Sequence, residues 1–241
     1  MARYGDYSIT FFPPLTPKVK LLLIVTGAAF VLTYFPYKLA AWTLPYDLFG
    51  LTPYAVTHHL FLWQPLTYLF LHGGFFHILF NLYALWVFGP DLEDAWGGHQ
   101  FLFYYFLTGV GAGLVDVLIG PNSLVMTIGC SGALFALMLA YGVLFPNRII
   151  YYLVIPMKAK WFVAIMAVVE FVDMMGSPNS GISYVAHLSG LAIGYLYLRG
   201  PGLPSNLQGR YDDWKRARLR KKFEVYMREK EKKDDPDHWL N

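Results

Sequence analysis

Charged side chains are scarce in this chain of 241 residues. They make up 15% of the sequence, against 56% hydrophobic residues, and the mean hydropathy is +0.40. A soluble domain carries about 25% charged residues. The shortage argues against an ordinary soluble protein, and it predicts a polytopic membrane protein with a polar tail.

Cysteine is nearly absent, because Cys130 is the only one in the sequence. A single thiol excludes an intramolecular disulfide and leaves the redox compartment undetermined. Cys130 precedes Ser131, which raises the alternative of a thiol nucleophile, but a buried cysteine is more often a small inert hydrophobic residue. The chain also lacks a His-Glu-x-x-His motif or a comparable ligand set, so we expect no metal and no other cofactor.

Long apolar runs dominate what is present. Their lengths and the breaks between them predict an all-α bundle of six transmembrane helices. The predicted spans are residues 21–35, 66–89, 101–118, 130–145, 161–175 and 183–198. The aromatic and proline-rich residues 38–65 are typical of a structured loop at the membrane interface, and we assign residues 149–155 to a short interfacial segment.

Lysine and arginine are distributed unevenly along the chain. Six spans place both termini on one side, and if that side is the cytoplasm, Lys38 is the only one of the 19 basic residues outside. We therefore expect an N-terminal lead at residues 1–20, a membrane core at 21–199 and a cytoplasmic tail at 200–241. A bacterial-type cytoplasmic (inner) membrane fits this arrangement. No signal-peptide pattern precedes the first apolar run, so we expect no cleaved leader.

The tail is rich in basic residues between positions 214 and 233. Phe223, Tyr226 and Met227 share one face at helical spacing. This pattern predicts a basic amphipathic helix attracted to anionic membrane lipid, and a solvated helix without a partner fits it equally well. The tail lacks a recognisable nucleic-acid-binding module, so we expect no nucleic-acid partner.

Polar side chains interrupt the predicted second span at His72, His77 and Asn81. Ionisable groups inside a bilayer are costly and are functional candidates for that reason. His77 and Asn81 are four residues apart, so they share a helix face. Such a pair can stabilise an anion or hydrogen-bond a neighbouring helix, and both interpretations stay open at this point.

Ser131 and His187 begin the predicted fourth and sixth spans at a similar shallow depth below the outer surface. Nucleophilic catalysis needs a hydroxyl, a base within hydrogen-bond reach and donors aimed at the developing oxyanion. Small residues near both positions, among them Gly132 and Gly190, would let the two spans pack closely. Taken alone, the Gly-Cys-Ser-Gly stretch more often indicates only such close packing.

Acidic residues also lie near the predicted outer ends of two spans, at Asp116, Glu170 and Asp173. Glu170 or Asp173 could be the third, orienting carboxylate of a catalytic triad. We favour the simpler interpretation, in which all three lie at solvated helix ends.

Three stretches of the chain, taken together, resemble the rhomboid intramembrane serine proteases. They are HGGFFHILFN at 72–81, GCSG at 129–132 and AHLSG at 186–190. Their order and the intervening turn from Glu93 to Gly97 match that family as well. The resemblance covers roughly residues 60–200, the predicted membrane core.

The resemblance implies a catalytic dyad of Ser131 and His187 that requires no acid. It implies that His77, Asn81 and the backbone N–H of Ser131 form the oxyanion hole. Further supporting positions are implied at Phe135, which would pack on the His187 ring, and at Gly129, Gly132, Gly190 and His72, the last of these in loop structure.

The function implied by the resemblance is cleavage of transmembrane protein substrates near the outer face of the membrane. Two alternatives stay open. A rhomboid-like pseudoprotease would bind membrane clients without cutting them, and it would typically lack a member of the dyad. A small transporter or channel would distribute its polar residues through the whole membrane depth, whereas these cluster toward one face.

Overall fold

The computed structural model describes residues 13–152, 155–176 and 184–200, together with 216, 219–220, 223–227 and 230 in the tail. Between residues 13 and 200 the described elements are helices and one β-hairpin. They are α1 (Pro17–Ala40), α2 (Leu44–Phe49), α3 (Pro53–His59), α4 (Gln64–Thr67), a 3-10 turn (Tyr68–Phe70), α5 (Phe75–Trp96), α6 (Gly98–Ile119), α7 (Ser131–Leu144), β1 (Ile149–Tyr152), β2 (Ile155–Lys158), α8 (Ala159–Gly176) and α9 (Tyr184–Arg199).

The fold is mostly helical, as predicted, and the prediction left out one feature, a β-hairpin in the connection between α7 and α8. Strands β1 and β2 pair antiparallel there, with Ile149 opposite Lys158 and Tyr152 opposite Ile155. The run Ile-Ile-Tyr-Tyr consists of residues that favour extended backbone. It is also too short to form a span. The segment predicted as merely interfacial is therefore a hairpin.

The start of the predicted second span is also wrong. Helix α5 begins at Phe75, not at residue 66, because Gly74 at its N-cap is fully extended, with φ −173° and ψ 165°. The residues before it form only the short α4 and the 3-10 turn. His72 consequently lies in the loop that precedes α5 instead of inside a helix.

Three described helices are long and apolar enough to cross a membrane, namely α1, α5 and α6. Helix α7 is apolar but shorter, at 14 residues. It forms the centre of the bundle, and Leu137 near its middle is fully buried. The peripheral helices expose apolar side chains such as Leu32 of α1 and Val168 of α8. Lipid tails are as apolar as these side chains, so such a surface is stable in a bilayer.

Helices α7 and α9 approach until their backbones touch. A Cβ at Gly190 would overlap the carbonyl oxygen of Gly132, and a Cβ at Gly132 would lie 3.0 Å from the carbonyl oxygen of Ala186. Gly194 continues the contact against Ala136 one turn further along α9. Only glycine permits the backbones of α7 and α9 to approach so closely. The contact also fixes the position of one helix along the axis of the other.

The other end of the bundle is held by a buried carboxylate, that of Glu93. It accepts hydrogen bonds from Oγ1 of Thr16 at 2.5 Å and from the backbone N–H groups of Lys18 and Val19 at 3.0 and 2.9 Å. These N–H groups begin α1 and have no partner within the helix. Glu93 therefore caps α1 and ties it to α5.

The predicted basic helix at residues 214–233 falls largely outside the described residues. Its described part includes a helical stretch at 223–227, in which Phe223 and Tyr226 are exposed.

Candidate active site

Ser131 is the first residue of α7, and the turn before it depends on Gly129. Gly129 has a φ of +113°, a conformation that residues with a Cβ rarely adopt. A Cβ at this position would also lie 2.7 Å from Nε2 of His77. Glycine is thus required both for the turn that presents Ser131 and for the room that the His77 ring occupies.

His187 lies on the first turn of α9 and faces Ser131. Its Nε2 is 2.6 Å from Oγ of Ser131, within hydrogen-bond distance. The ring of Phe135, one turn after Ser131, stacks on the imidazole at 4.6 Å between centroids and 22° between planes. The backbone contact between Gly132 and Gly190 brings the serine and the histidine to this distance.

Glu170 of α8 approaches the other side of the same imidazole. Its Oε2 lies 2.8 Å from Nδ1 of His187, and the two side chains are only 12% and 11% exposed. The favoured interpretation of Glu170 as a solvated helix end is therefore wrong. Asp173, one turn further on, is exposed, while Asp116 accepts a hydrogen bond from Thr127 at 2.7 Å.

These contacts favour one placement of the protons on the histidine ring when Glu170 is ionised. An ionised carboxylate can only accept hydrogen bonds, so Nδ1 of His187 carries the proton and donates it to Glu170. The neutral ring then has a lone pair on Nε2, which accepts from the hydroxyl of Ser131. This tautomer is the one that lets a histidine act as a general base toward serine.

His77 and Asn81 lie on one face of α5, beside the turn at Gly129. Nε2 of His77 and Nδ2 of Asn81 would lie 2.7 and 3.5 Å from a Cβ at that glycine. Asn81 is 7% exposed, and its Nδ2 has no hydrogen-bond partner among the described residues. A buried donor without a partner costs about 1–3 kcal/mol. Such a donor beside a candidate nucleophile is suited to an acceptor that arrives with the substrate.

His72 and Cys130 are packed behind the candidate nucleophile. His72 is fully buried, and its Nε2 lies 3.8 Å from Sγ of Cys130. Its ring contacts that of His77 at 4.9 Å between centroids. Tyr46 of α2 donates a hydrogen bond to the His72 carbonyl at 2.9 Å. His72 thus holds the loop before α5 in place, and the buried Cys130 thiol faces His72 and not His187.

The site therefore brings together residues from four helices. Sequence reasoning identified its serine, its histidines and Asn81 but placed Glu170 in solvent. The signal in the sequence was that Glu170 is a carboxylate within an apolar helix, where an ionisable group is energetically unfavourable unless it has a partner. Which partner it meets depends on the rotation of α8, and the sequence does not specify that rotation.

Comparison with known proteins shows the family to which this chain belongs. A family model described as the rhomboid domain matches residues 60–200, more than half of the sequence. The chain belongs to the rhomboid family. The resemblance seen in the three motifs is thereby confirmed, and family membership together with the long apolar helices makes this an integral membrane protein.

Several curated rhomboid proteins are similar to this chain. The putative rhomboid protease YdcA of Bacillus subtilis (strain 168) is 35% identical over 136 residues, which is 56% of this chain and 64% of YdcA. The mitochondrial rhomboid protein 1 of Saccharomyces cerevisiae is 30% identical over 53% of this chain and 38% of its own length. The rhomboid protease GlpG of Yersinia pestis is 28% identical over 74% of this chain and 56% of its own. The matches thus span less than two thirds of each of these relatives.

Proposed function

We propose that this protein is an intramembrane serine endopeptidase that cleaves transmembrane protein substrates through Ser131 and His187. The observation that carries the proposal is the contact of 2.6 Å between Oγ of Ser131 and Nε2 of His187. Nδ2 of Asn81 nearby, which has no partner in the described part of the chain, supports it. The curated relatives YdcA and GlpG are named as proteases, which agrees with this chemistry.

The positions of Ser131, His187 and the hydrogen-bond donors beside them suggest the steps of the reaction. His187 takes the proton of Ser131 at Nε2 while Oγ attacks the substrate carbonyl. The oxyanion that forms accepts hydrogen bonds from Asn81, His77 and the backbone N–H of Ser131. His187 then gives its proton to the leaving amine, and an acyl-enzyme remains. Water, deprotonated by the same nitrogen, attacks the ester and releases Ser131.

The length of α7 supports chemistry below the membrane surface. A helix of 14 residues is about 21 Å long, whereas the hydrocarbon core of a bilayer is about 30 Å thick. If α7 starts from the inner face, Ser131 lies several ångströms below the outer face. We infer that α1 and α5–α9 are the six spans, with the lead, the tail and both termini in the cytoplasm, as the basic residues indicate.

The loop before Ser131 must be shielded from lipid in this arrangement, because irregular backbone does not face hydrocarbon. The segment around α3 supplies that cover. Leu51 and Thr127 exchange two backbone hydrogen bonds, and the N–H of Tyr54 donates to the carbonyl of Ser123 at 3.0 Å. The proposed hydrolysis also requires a cavity at Ser131 that is enclosed by protein and open to water.

The other functions considered for the sequence fit this geometry less well. A pseudoprotease would not need a serine and a histidine in hydrogen-bond contact. A channel or transporter would need polar groups through the depth of the bundle, whereas His77, Asn81, His187 and Glu170 gather beside Ser131.

A cleavage assay in lipid tests the proposal. The purified chain is reconstituted with a reporter substrate that carries one transmembrane helix, alongside Ser131→Ala and Cys130→Ala. We expect cleavage by the wild type and by Cys130→Ala, and none by Ser131→Ala, because the thiol does not face His187. A folded wild type that leaves this and a panel of other transmembrane substrates intact would contradict the proposal.

A further inference from the structure

A third side chain completes the contact between Ser131 and His187. The resemblance to the family implies a dyad that requires no acid, yet here a carboxylate lies 2.8 Å from Nδ1 of His187. It belongs to Glu170, on a helix that contributes neither the nucleophile nor the base. The order Ser131, His187, Glu170 has the connectivity of a catalytic triad.

The surroundings of Glu170 argue for a specific role in this place. Apart from the exposed Asp173, helix α8 is apolar around this position, and the neighbouring Val169 and Phe171 are exposed to the lipid side of the bundle. A carboxylate is costly in such a helix, and a leucine of similar size would avoid that cost. The described residues give the Glu170 carboxylate one hydrogen-bond partner, which is His187.

The imidazole of His187 is thus fixed in two independent ways. Phe135 covers one face of the ring and restricts its tilt. Glu170 accepts from Nδ1–H and restricts both the rotation of the ring and the choice of tautomer. Without the second restraint the neutral ring can carry its proton on Nε2, where it cannot accept from Ser131.

We propose that Glu170 is a positioning residue, which makes the candidate site a Ser131–His187–Glu170 triad. This inference rests on the proposed function, because it assigns a role within the same reaction. Glu170 holds the proton of His187 on Nδ1 and stabilises the imidazolium that forms while Ser131 attacks. It does not itself take up the proton.

The decisive variant is Glu170→Gln, which keeps the size of the side chain. A glutamine side chain can accept from Nδ1–H through Oε1 or donate to Nδ1 through its NH2 group, so the hydrogen bond between α8 and α9 persists, but the negative charge that stabilises the imidazolium is lost. We expect kcat for the reporter substrate to fall on the order of 10²-fold or more. We expect KM and the melting temperature to stay near their wild-type values, because packing and substrate contacts are unchanged.

A merely structural tie between the two helices predicts a different order of variants. In that case Glu170→Gln would be nearly normal and Glu170→Ala would be the worse of the two, because only alanine removes the hydrogen bond. The triad predicts that both variants are slow, because each of them lacks the carboxylate charge that stabilises the imidazolium. Asp173→Asn is the matched control, since Asp173 is exposed on the same helix, and its kcat should be unchanged.

The protonation of His187 provides a readout that a structural role would not move. In ¹⁵N spectra of histidine-labelled protein, the His187 signals, assigned with His187→Ala, should show protonated Nδ1 in the wild type and a population protonated at Nε2 in Glu170→Ala, which has no acceptor for Nδ1–H. A wild-type kcat for Glu170→Gln in an active protein would overturn the triad and leave the dyad intact. A wild type without Ser131-dependent cleavage would overturn the proposed function, and the triad with it.

Discussion

Two buried polar side chains of helix α5 differ in whether they have hydrogen-bond partners. Near the C-terminal end of α5, the Glu93 carboxylate accepts hydrogen bonds from Thr16 and from two backbone N–H groups of α1. Near Ser131, the Asn81 amide is equally buried, and its Nδ2 has no partner among the described residues. A satisfied polar group stabilises a fold, whereas an unsatisfied one destabilises it unless a ligand completes it.

From this contrast we infer that one polar side chain of α5 contributes to the stability of the fold and the other to its activity. Glu93 should matter for folding and little for chemistry, and Asn81 should matter for chemistry and little for folding. The following variants test whether stability and activity depend on different residues.

The largest expected effect is that of Asn81→Ala on turnover. Loss of one oxyanion donor typically raises the barrier by about 2.7–4 kcal/mol, so kcat should fall about 10²–10³-fold and a residual activity should remain. The melting temperature should not fall, because the alanine removes a donor that has no partner among the described residues. Steady-state cleavage in liposomes and a thermal melt of the same preparation measure the two quantities.

The counterpart is Glu93→Ala at the other end of α5. It leaves one hydroxyl and two backbone N–H groups without their acceptor, and we expect a loss of about 3 kcal/mol in the free energy of unfolding. The folded fraction should still cleave at a nearly normal rate. If Glu93→Ala instead abolished turnover at an unchanged melting temperature, the separation drawn here would be wrong.

A smaller effect is expected for Gly129→Ala, which removes no polar group from the site. The positive φ costs a residue with a Cβ about 1–2 kcal/mol, and the new Cβ would displace the His77 ring. Both activity and melting temperature should therefore decrease. Gly74→Ala is the control, because Gly74 is extended and a Cβ there meets no atom within 4 Å. Equal behaviour of the two variants would contradict the role given to the turn at Gly129.

The smallest effect should be that of Phe135→Leu. It removes the ring that stacks on His187 but keeps an apolar side chain, and such aromatic pairs contribute about 0.5–1.5 kcal/mol beyond their buried area. We expect kcat to fall by roughly tenfold or less. A loss as large as that of Asn81→Ala would show that the stack does more than hold the ring.

Local sequence signals predicted the parts of the site that depend on order along one helix. His77 and Asn81 share a face because they are four residues apart, and glycines mark where α7 and α9 touch. The start of α5 was misplaced because an apolar run continues on both sides of Gly73 and Gly74. The sequence offers Glu170 as an orienting carboxylate but does not decide between that role and a solvated helix end, because the contact with His187 depends on how α8 rotates against α9.

The central claim is that Ser131 is an activated nucleophile. The most direct measurement is labelling of the folded protein with a fluorophosphonate probe, with the modified residue located by peptide mass spectrometry. The account predicts an adduct on Ser131 in the wild type that disappears in His187→Ala. An adduct that persists at wild-type rate in His187→Ala would contradict it, and so would an adduct confined to another residue.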